Sequence, residues 1–213
     1  MTCQSSLKLE LNGSGMRGSP QRGAPLVRRE EFKGSQSPKD FDISLDVVVK
    51  SKKWSGEKKI EQFVENVCQK IIPLTDLKKI LVKNFTLELA ISLVSNQQMK
   101  KINFEFRGKN KPTNVLSFPA LDENLIRKVG LKKAVKPCDY LFLGDVVIAF
   151  EITKKESLVQ KKRFEDHLTH LILHSILHLI GFDHEEDGMA KIMENLERKI
   201  LKKIGITNPH LIK

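Results

Sequence analysis

Three histidines in the C-terminal part of the chain have the residue type and spacing to hold a metal ion. His174 and His178 are four positions apart, and His184 follows six positions later. Residues four apart on an α-helix point the same way from successive turns, so these two imidazoles could bind one ion. Gly181 can adopt the left-handed conformation that ends a helix, and the chain can then fold back to bring His184 to the same ion. The spacing therefore predicts three nitrogen ligands.

This ligand set predicts catalytic rather than structural metal chemistry. Neutral imidazoles add no charge, so a divalent ion held by three of them keeps its full charge, and a fourth position stays open to water. Such a water can ionise near neutral pH and attack an electrophile. Zinc is the default ion for three imidazoles, although another available divalent ion could replace it. We therefore expect one Zn²⁺ per chain and a hydrolytic reaction.

The histidines also allow other interpretations. In the H-E-x-x-H motif of metalloproteases the residue after the first histidine is the general base, but here it is Ser175, which cannot take a proton from water at neutral pH. A zinc metallopeptidase would thus need a glutamate from elsewhere. Histidines in a core are a further alternative, but a polar ring buried without a partner is costly. His167 and His170 continue the same helical line, where hydrogen-bonding neighbours are commoner than ligands of a second metal.

Two stretches of the chain resemble the signatures of a known family. The stretch from His174 to His184 reads HSILHLIGFDH, and residues 106–119 read FRGKNKPTNVLSFP. Both are similar to the hallmark blocks of the bacterial YbeY family of metal-dependent endoribonucleases, and they stand in the same order. Ser175 replaces the family's glycine and Phe182 its tyrosine, and neither is a predicted ligand. The resemblance covers residues 43–206 of the chain.

The resemblance implies a fold, an activity and a set of site residues. It implies a zincin-like fold and an endoribonuclease that acts on single-stranded RNA, in maturation of the 3′ end of 16S ribosomal RNA and in ribosome quality control in the cytoplasm. His174, His178 and His184 match the family's metal ligands, and Arg107 matches its functional arginine. Precursor ribosomal RNA and the small ribosomal subunit are the implied partners. Other residues on family-typical positions are expected to have structural roles: Asn103, Thr113, Asn114 and Ser117.

Charged residues in and beside these blocks are candidates for holding RNA and moving protons. Arg107 could brace a phosphate through charge-assisted hydrogen bonds, or it could form a structural salt bridge. Lys109 and Lys111 are candidate RNA-binding residues. Asp183 could orient an imidazole by accepting its second N–H, or it could shuttle a proton. The acidic residues 185–187 could equally be a charge cap for the last helix, and the sequence does not identify the general base.

Hydrophobic periodicity predicts an α+β (mixed α/β) fold. Alternating or continuous apolar runs predict four strands, at residues 43–49, 85–93, 115–118 and 142–150. Apolar residues at helical spacing predict five helices, at residues 60–71, 96–106, 152–162, 164–180 and 189–204. We expect a small mixed sheet packed against helices, zincin-like as the resemblance implies, with the metal-binding helix at the centre. The pattern leaves the strand order open.

The same pattern places several residues locally. Arg107 and Lys111 are expected on a turn or loop just before the third strand. Asp145 interrupts an apolar strand beside Gly144, which favours a turn or bulge there over a carboxylate at the edge of the site. The last helix carries an apolar stripe that we expect to pack in the core: Met189, Ile192, Met193, Leu196, Ile200 and Ile204.

Composition limits the class of protein. The chain of 213 residues fits one domain with a substantial core, and its three widely spaced cysteines favour a reducing compartment over a disulfide framework. No run of apolar residues is long enough to span a membrane, so a soluble protein without a membrane partner is expected. The net charge of +11 favours polyanionic partners such as RNA. A non-catalytic ribosome-assembly factor would have the same composition and remains an alternative.

The first forty residues differ from the rest of the chain. They hold five of the 12 glycines and three of the 8 prolines, with little periodic hydrophobicity. This composition predicts a disordered N-terminal extension at 1–40, followed by a YbeY-like domain at 41–213. The segment has neither the apolar core of a secretory signal nor the acid-poor composition of a transit peptide, which favours a cytoplasmic location.

Overall fold

The computed structural model describes residues 41–57, 59–79, 85–122, 140–182 and 187–206. The predicted N-terminal extension therefore lies outside the described residues, as does most of the segment between the third and fourth predicted strands. Within the described ranges, no helix is long and apolar enough to cross a membrane.

Within the described ranges, four strands form one sheet in the order β1-β2-β4-β3. The strands are β1 (Phe41–Val49), β2 (Phe85–Val94), β3 (Val115–Pro119) and β4 (Tyr140–Ala149). β1 pairs parallel with β2 and β2 with β4, whereas β3 is antiparallel to β4. The prediction of a small mixed sheet with four strands is therefore confirmed. The apolar run of β4 suits an internal strand, and Pro119 ends a strand at the edge, where a missing N–H costs no sheet pairing.

The part of the chain that the structure describes also contains five α-helices, so the predicted mixed α/β class is confirmed. They are α1 (Ile60–Ile71), α2 (Asn96–Arg107), α3 (Phe150–Val159), α4 (Phe164–Leu179) and α5 (Asp187–Lys203). Short 3-10 helices lie at Lys52–Gly56, Ile72–Leu74 and Asp76–Lys79. Helix α4 carries the histidines and contacts β3, β4, α1, α3 and α5, which places it at the centre of the domain as expected.

Helix α4 is apolar on most of its surface and deeply buried. Leu168, Leu171, Ile172, Ile176 and Leu179 each have at most 5% of their surface exposed. The helix ends as its sequence predicts, because Gly181 adopts a φ of +89° and its amide donates to the carbonyl oxygen of His178 at 3.0 Å. The buried face fixes the rotation of the helix and therefore the direction in which its histidines point.

Both ends of α2 are set by local hydrogen bonds. The hydroxyl of Ser95 accepts from the amide of Gln98 at 3.3 Å, and the side chain of Gln98 accepts from the amide of Ser95 at 2.8 Å. Gly108 ends the helix with a φ of +67°. The prediction that Arg107 lies on a loop is wrong. The helix does not end at the last apolar residue, Phe106, but includes Arg107 and stops at Gly108. A cation at this end is stabilised by the helix dipole.

A bulge in β4 explains the polar residue within that apolar strand. Glu88 of β2 pairs with Phe142, and Ala90 pairs with Asp145, so β4 holds one extra residue over this interval. Gly144 lies in the bulge with a φ of +140°, and a Cβ atom there would lie 2.3 Å from the carbonyl oxygen of Phe118. The bulge that the sequence favours at Asp145 is therefore confirmed.

Candidate metal centre

His174 and His178 face each other across one turn of α4. Their Nε2 atoms are 3.0 Å apart and their ring centroids 4.5 Å apart. Both side chains are half-buried at the end of a helix that is otherwise packed on all its apolar faces. The predicted convergence of these two imidazole nitrogens on one point is therefore present in the fold.

A buried carboxylate from α5 holds the other side of His174. Nδ1 of His174 lies 2.8 Å from Oε1 of Glu197, and Nε2 of His170 lies 3.2 Å from Oε2 of the same residue. The Glu197 side chain is only 2% exposed. Burial by itself raises the pKa of Glu197, but hydrogen bonds from His170 and His174 outweigh that effect and hold the pKa well below its usual range.

This contact decides which nitrogen of His174 carries a proton. An ionised carboxylate only accepts hydrogen bonds, so the proton of neutral His174 is on Nδ1, where it is donated to Glu197. Nε2 then carries the lone pair and points at His178. A carboxylate behind an imidazole in this way both orients the ring and makes its far nitrogen a stronger ligand. Glu197 therefore acts on the face that His174 shares with His178.

The donor set fits a divalent metal ion. In tetrahedral zinc sites with Zn–N bonds near 2.0–2.1 Å, two nitrogen ligands are about 3.3 Å apart. The two Nε2 atoms, at 3.0 Å, would have to separate by only a few tenths of an ångström to match that value. Within the described ranges no group of three or more His, Cys, Asp or Glu side chains is placed to hold a metal. The third predicted ligand, His184, lies outside these ranges together with Asp183.

The other histidines of α4, His167 and His170, form hydrogen bonds to carboxylates. This agrees with the expectation that they are hydrogen-bonding neighbours rather than ligands of a second metal. His170 shares Glu197 with His174. His167 is 3% exposed, and its Nε2 lies 2.9 Å from Oε2 of Glu156 in α3. Glu156 also accepts from Nδ2 of Asn114 at 3.0 Å. Burial raises the pKa of Glu156, but the hydrogen bonds from His167 and Asn114 lower it further than burial raises it.

Ser175 is turned away from the centre. Its side chain is fully buried, and its hydroxyl donates to the carbonyl oxygen of Leu171 at 2.8 Å. A serine side chain bonded back to its own helix takes no part in chemistry at the His174–His178 face. This agrees with the expectation that the position after the first histidine supplies no general base.

Arg107 and its neighbours line a polar cavity of about 500 Å³ beside α3. Arg107, Lys109 and Lys111 contribute three cations, and Asn114 and Glu156 lie on the same wall. Nη2 of Arg107 donates to the carbonyl oxygen of Ser117 in β3 at 3.4 Å, and its side chain is otherwise exposed. The contact joins the guanidinium to β3, and β3 packs directly on the histidine helix.

The family-typical polar residues shape the loop that carries the two lysines. Nδ2 of Asn103 donates to the carbonyl oxygen of Lys111 at 2.6 Å. Oδ1 of Asn114 accepts from the amide of Val115 at 2.7 Å and from the hydroxyl of Thr113 at 3.3 Å. These bonds join the end of α2 to the start of β3. The structural roles expected for Asn103, Thr113 and Asn114 therefore have a direct physical basis.

Sequence reasoning missed Glu197 and misplaced one of its neighbours. Ile192, expected in the core, is 53% exposed, whereas Glu197 is 1% exposed. The buried face of α5 runs through Met193, Glu197 and Ile200, at spacings of four and three. Glu197 falls at the spacing of an otherwise apolar stripe, and buried carboxylates are rare unless they are paired. This position could have indicated from the sequence that Glu197 has a buried partner. Together, the fold and the site define a mixed α/β protein with a carboxylate-backed histidine pair.

Comparisons with known proteins identify the family. A family model described as Endoribonuclease YbeY matches residues 48–205. Endoribonuclease YbeY of Bartonella bacilliformis and that of Bartonella quintana are each 39% identical over 168 residues, which is 79% of this chain and 97% of the relative. The Zymomonas mobilis protein of the same name is 34% identical over 157 residues, 74% of this chain and 87% of the relative. The chain belongs to the YbeY endoribonuclease family.

A solved structure is also similar. It is the solution structure of a protein from Thermotoga maritima, 25% identical in sequence, with a TM-score of 0.45 over 77% of this chain and 91% of that chain.

Proposed function

We propose that the protein is a metal-dependent endoribonuclease that hydrolyses phosphodiester bonds in single-stranded RNA. Membership of a family whose relatives are named endoribonucleases supports the nuclease reaction. The net charge of +11 suits a polyanionic substrate. The observation that carries the proposal is the approach of the Nε2 atoms of His174 and His178 to 3.0 Å, with Glu197 behind His174.

One Zn²⁺ per chain is the proposed cofactor, with His174, His178 and His184 as its ligands. The ion would supply Lewis acid chemistry towards a phosphoryl oxygen and towards water. Glu197 keeps the proton of His174 on Nδ1, so that Nε2 presents its lone pair. The apolar packing of α4 holds both rings in place before any ligand binds, which limits the reorganisation that binding requires.

The proposed role of Arg107 is to brace the phosphate of the RNA. Its hydrogen bond to Ser117 uses one donor of a side chain that has five, so other N–H groups can reach a phosphate. Donors that bind more strongly as charge develops lower the barrier to phosphodiester hydrolysis. Lys109 and Lys111 add positive charge along the same cavity and hold the RNA backbone. Asp183 is the proposed partner of an imidazole or a proton shuttle, by its position next to His184.

The biological setting that we propose is ribosomal RNA processing in the cytoplasm. Maturation of the 3′ end of 16S ribosomal RNA and ribosome quality control are the specific tasks, with precursor RNA and the small ribosomal subunit as partners. The proposal rests on the YbeY resemblance of the two sequence blocks and on the family match.

Cleavage assays on three proteins test the reaction. Wild type, His178→Ala and Arg107→Ala are incubated with single-stranded RNA and with a peptide library, with and without a chelator. We expect the chelator and His178→Ala to abolish RNA cleavage, because each removes the ion. Arg107→Ala is expected to lower kcat about 100-fold, as loss of one transition-state donor does.

Arg163→Ala is the matched control for the arginine variant. Arg163 precedes α4, and its side chain is 74% exposed and pairs only loosely with Glu165, at 3.7 Å. Its loss should leave the rate within about twofold, as substitutions of exposed residues usually do. RNA cleavage that survives His178→Ala would remove the metal hypothesis. Cleavage of peptides alone would favour a metallopeptidase, and RNA binding without cleavage in any condition would favour an assembly factor.

A further inference from the structure

Glu156 is a carboxylate that the proposed reaction does not use, although it lines the cavity that contains Arg107. It is held in place by α4 and by the loop before β3: Oε2 lies 2.9 Å from Nε2 of His167 in α4, and the same oxygen accepts from Nδ2 of Asn114 at 3.0 Å. The Glu156 side chain is 33% exposed, whereas that of His167 is only 4% exposed. The carboxylate is therefore fixed by one buried donor, His167, and one partly buried donor, Asn114, and it also lines the cavity.

The hydrogen bonds of the two oxygens are unequal. Oε2 receives two short bonds, which fill both of its lone-pair positions. Among the described residues, Oε1 has only the longer contact with Nδ2 of Asn114, at 3.3 Å. Burial raises the pKa of Glu156, but the hydrogen bonds from His167 and Asn114 lower it by more. The group therefore stays ionised at neutral pH. An ionised oxygen with spare lone-pair capacity, on the wall of a cavity, can bind an N–H donor.

The other walls of the cavity fit one nucleotide. The volume of about 500 Å³ is within the range of small-ligand sites, and Pro112, Leu116 and Ile152 provide apolar surface. Cations line the same cavity: Arg107, Lys109 and Lys111. Proteins that bind single-stranded RNA place an unstacked base against such a wall, read its edge by hydrogen bonds and hold the phosphates with cations. The single carboxylate lies among groups that together suit a base and its phosphates.

We infer that this cavity is a base-recognition subsite, in which Oε1 of Glu156 accepts a hydrogen bond from the exocyclic amino group of one RNA base. The inference rests on the proposed function, because it assumes an RNA substrate, and it adds a preference for cytosine, adenine or guanine over uracil at one position. Cytosine and uracil make the sharpest comparison. They are of equal size, but cytosine carries an amino donor at the position where uracil carries a carbonyl acceptor. The phosphates are the same in both, so their contribution cancels.

The substitution Glu156→Gln should change the preference between cytosine and uracil in a predictable direction. The N–H groups of His167 and Asn114 still need an acceptor, so the one oxygen of glutamine should take the position of Oε2. Its amide NH₂ then replaces Oε1 at the cavity. A donor at that point repels the amino group of cytosine and binds the carbonyl group of uracil. The variant should therefore reverse the base preference and keep the fold.

The test measures binding of fluorescent single-stranded RNA made of cytidine only or of uridine only, by anisotropy at neutral pH. It uses the full-length chain with and without added Zn²⁺. Wild type should bind the cytidine strand about fivefold more tightly, the effect of one hydrogen bond to a partly exposed charged group. Glu156→Gln should bind the uridine strand at least as tightly as the cytidine strand. Glu165→Gln is the matched control, since its side chain is 46% exposed and lies outside the cavity.

The results distinguish failure of the subsite from failure of the proposed RNA substrate. Equal binding of the two strands by wild type overturns the subsite, and that measurement needs no variant to fold. A preference for cytidine that persists in Glu156→Gln assigns the selectivity to another group and also overturns it. Gel electrophoresis of the same samples reports cleavage, so cleavage without base preference overturns the subsite alone. Failure to bind either strand overturns both the subsite and the proposed RNA substrate.

Discussion

Two carboxylates accept hydrogen bonds from histidines of the same helix, and they differ chiefly in burial. Glu197, from α5, is 2% exposed and lies between His170 and His174. Glu156, from α3, is 33% exposed and meets His167 and Asn114. Each has a pKa below its usual range, because its hydrogen bonds more than offset the effect of burial. The histidine helix is thus held by one carboxylate from each of two neighbouring helices.

The difference in exposure assigns the two carboxylates different tasks. Both oxygens of Glu197 are within hydrogen-bonding distance of a histidine, so its structure suits the positioning of a ring that faces a metal. Glu156 keeps one oxygen on a cavity, so its structure suits contact with a substrate. A carboxylate paired with an imidazole can therefore position the imidazole where the pair is closed to water, and it can also bind a substrate where the pair is open to water. The variants below test this division.

Removal of the buried carboxylate should have the largest effect on stability. Glu197→Ala removes the buried carboxylate that accepts from His170 and His174, and it also creates a cavity. We expect the free energy of unfolding to fall by about 3 kcal/mol, measured by urea denaturation in the presence of a chelator. Glu194→Ala, at an exposed site one turn earlier on α5, should change it by less than about 0.5 kcal/mol. Equal losses in the two variants would mean that Glu197 is not the main support of these rings.

Glutamine at each of the two positions separates positioning from recognition. In Glu197→Gln one oxygen can accept from only one of the two histidines, and the amide NH₂ then faces the other. A His174 ring that must accept at Nδ1 carries its proton on Nε2, where the lone pair for a metal is needed. We expect the affinity for Zn²⁺, measured by competition with a chromophoric chelator, to fall at least tenfold in Glu197→Gln. Glu156→Gln should leave it within about twofold, because no predicted ligand contacts Glu156, and a similar fall in both variants would contradict the division.

The fold was predictable from the sequence because its signals are local. Strand alternation, helical spacing and the glycine after α4 each act within a few residues, and the four strands and five helices of the described residues lie within three residues of their predicted bounds. The strand order depends instead on which strands pair with each other across 25 or more residues of chain, and no local pattern records that choice. Arg107 was misplaced by the same reasoning, because the apolar pattern of α2 ends at Phe106 although the helix includes Arg107 and is capped by Gly108.

The candidate site was predictable only as far as its ligands are neighbours in sequence. His174 and His178 are four residues apart, so helix geometry alone brings their Nε2 atoms together. Glu197 is 23 residues from His174, and Glu156 is 42 residues from Asn114. Which carboxylate meets which ring depends on how α3 and α5 pack on α4. That packing is a tertiary property, so sequence reasoning proposed Asp183 as the orienting group because it is adjacent to His184.

The smallest expected effect is a change in how stability depends on pH. The hydrogen bonds of His167 and Asn114 hold the pKa of Glu156 below its unfolded value of 4.5, despite the opposing effect of burial. A carboxyl group whose pKa is lower in the folded state stabilises the fold at every pH above its unfolded pKa. This stabilisation is lost as the pH falls through the pKa of the folded state. Three cations also line the cavity that Glu156 faces: Arg107, Lys109 and Lys111. Wild type should therefore be more stable than Glu156→Gln near about pH 5, by less than about 1 kcal/mol because the group is a third exposed.

The difference between wild type and Glu156→Gln should shrink as the pH is lowered from that point towards acid. Urea denaturation of both proteins over this range measures it, and the titration of Glu197 cancels because both proteins contain that residue. Glu165→Gln, with a side chain that is 46% exposed, should run parallel to wild type throughout. A difference that stays constant or widens on acidification would mean that Glu156 does not hold its charge through His167 and Asn114. The charged oxygen required at the base-recognition subsite would then lose its physical basis, whereas the positioning role of Glu197 would be unaffected.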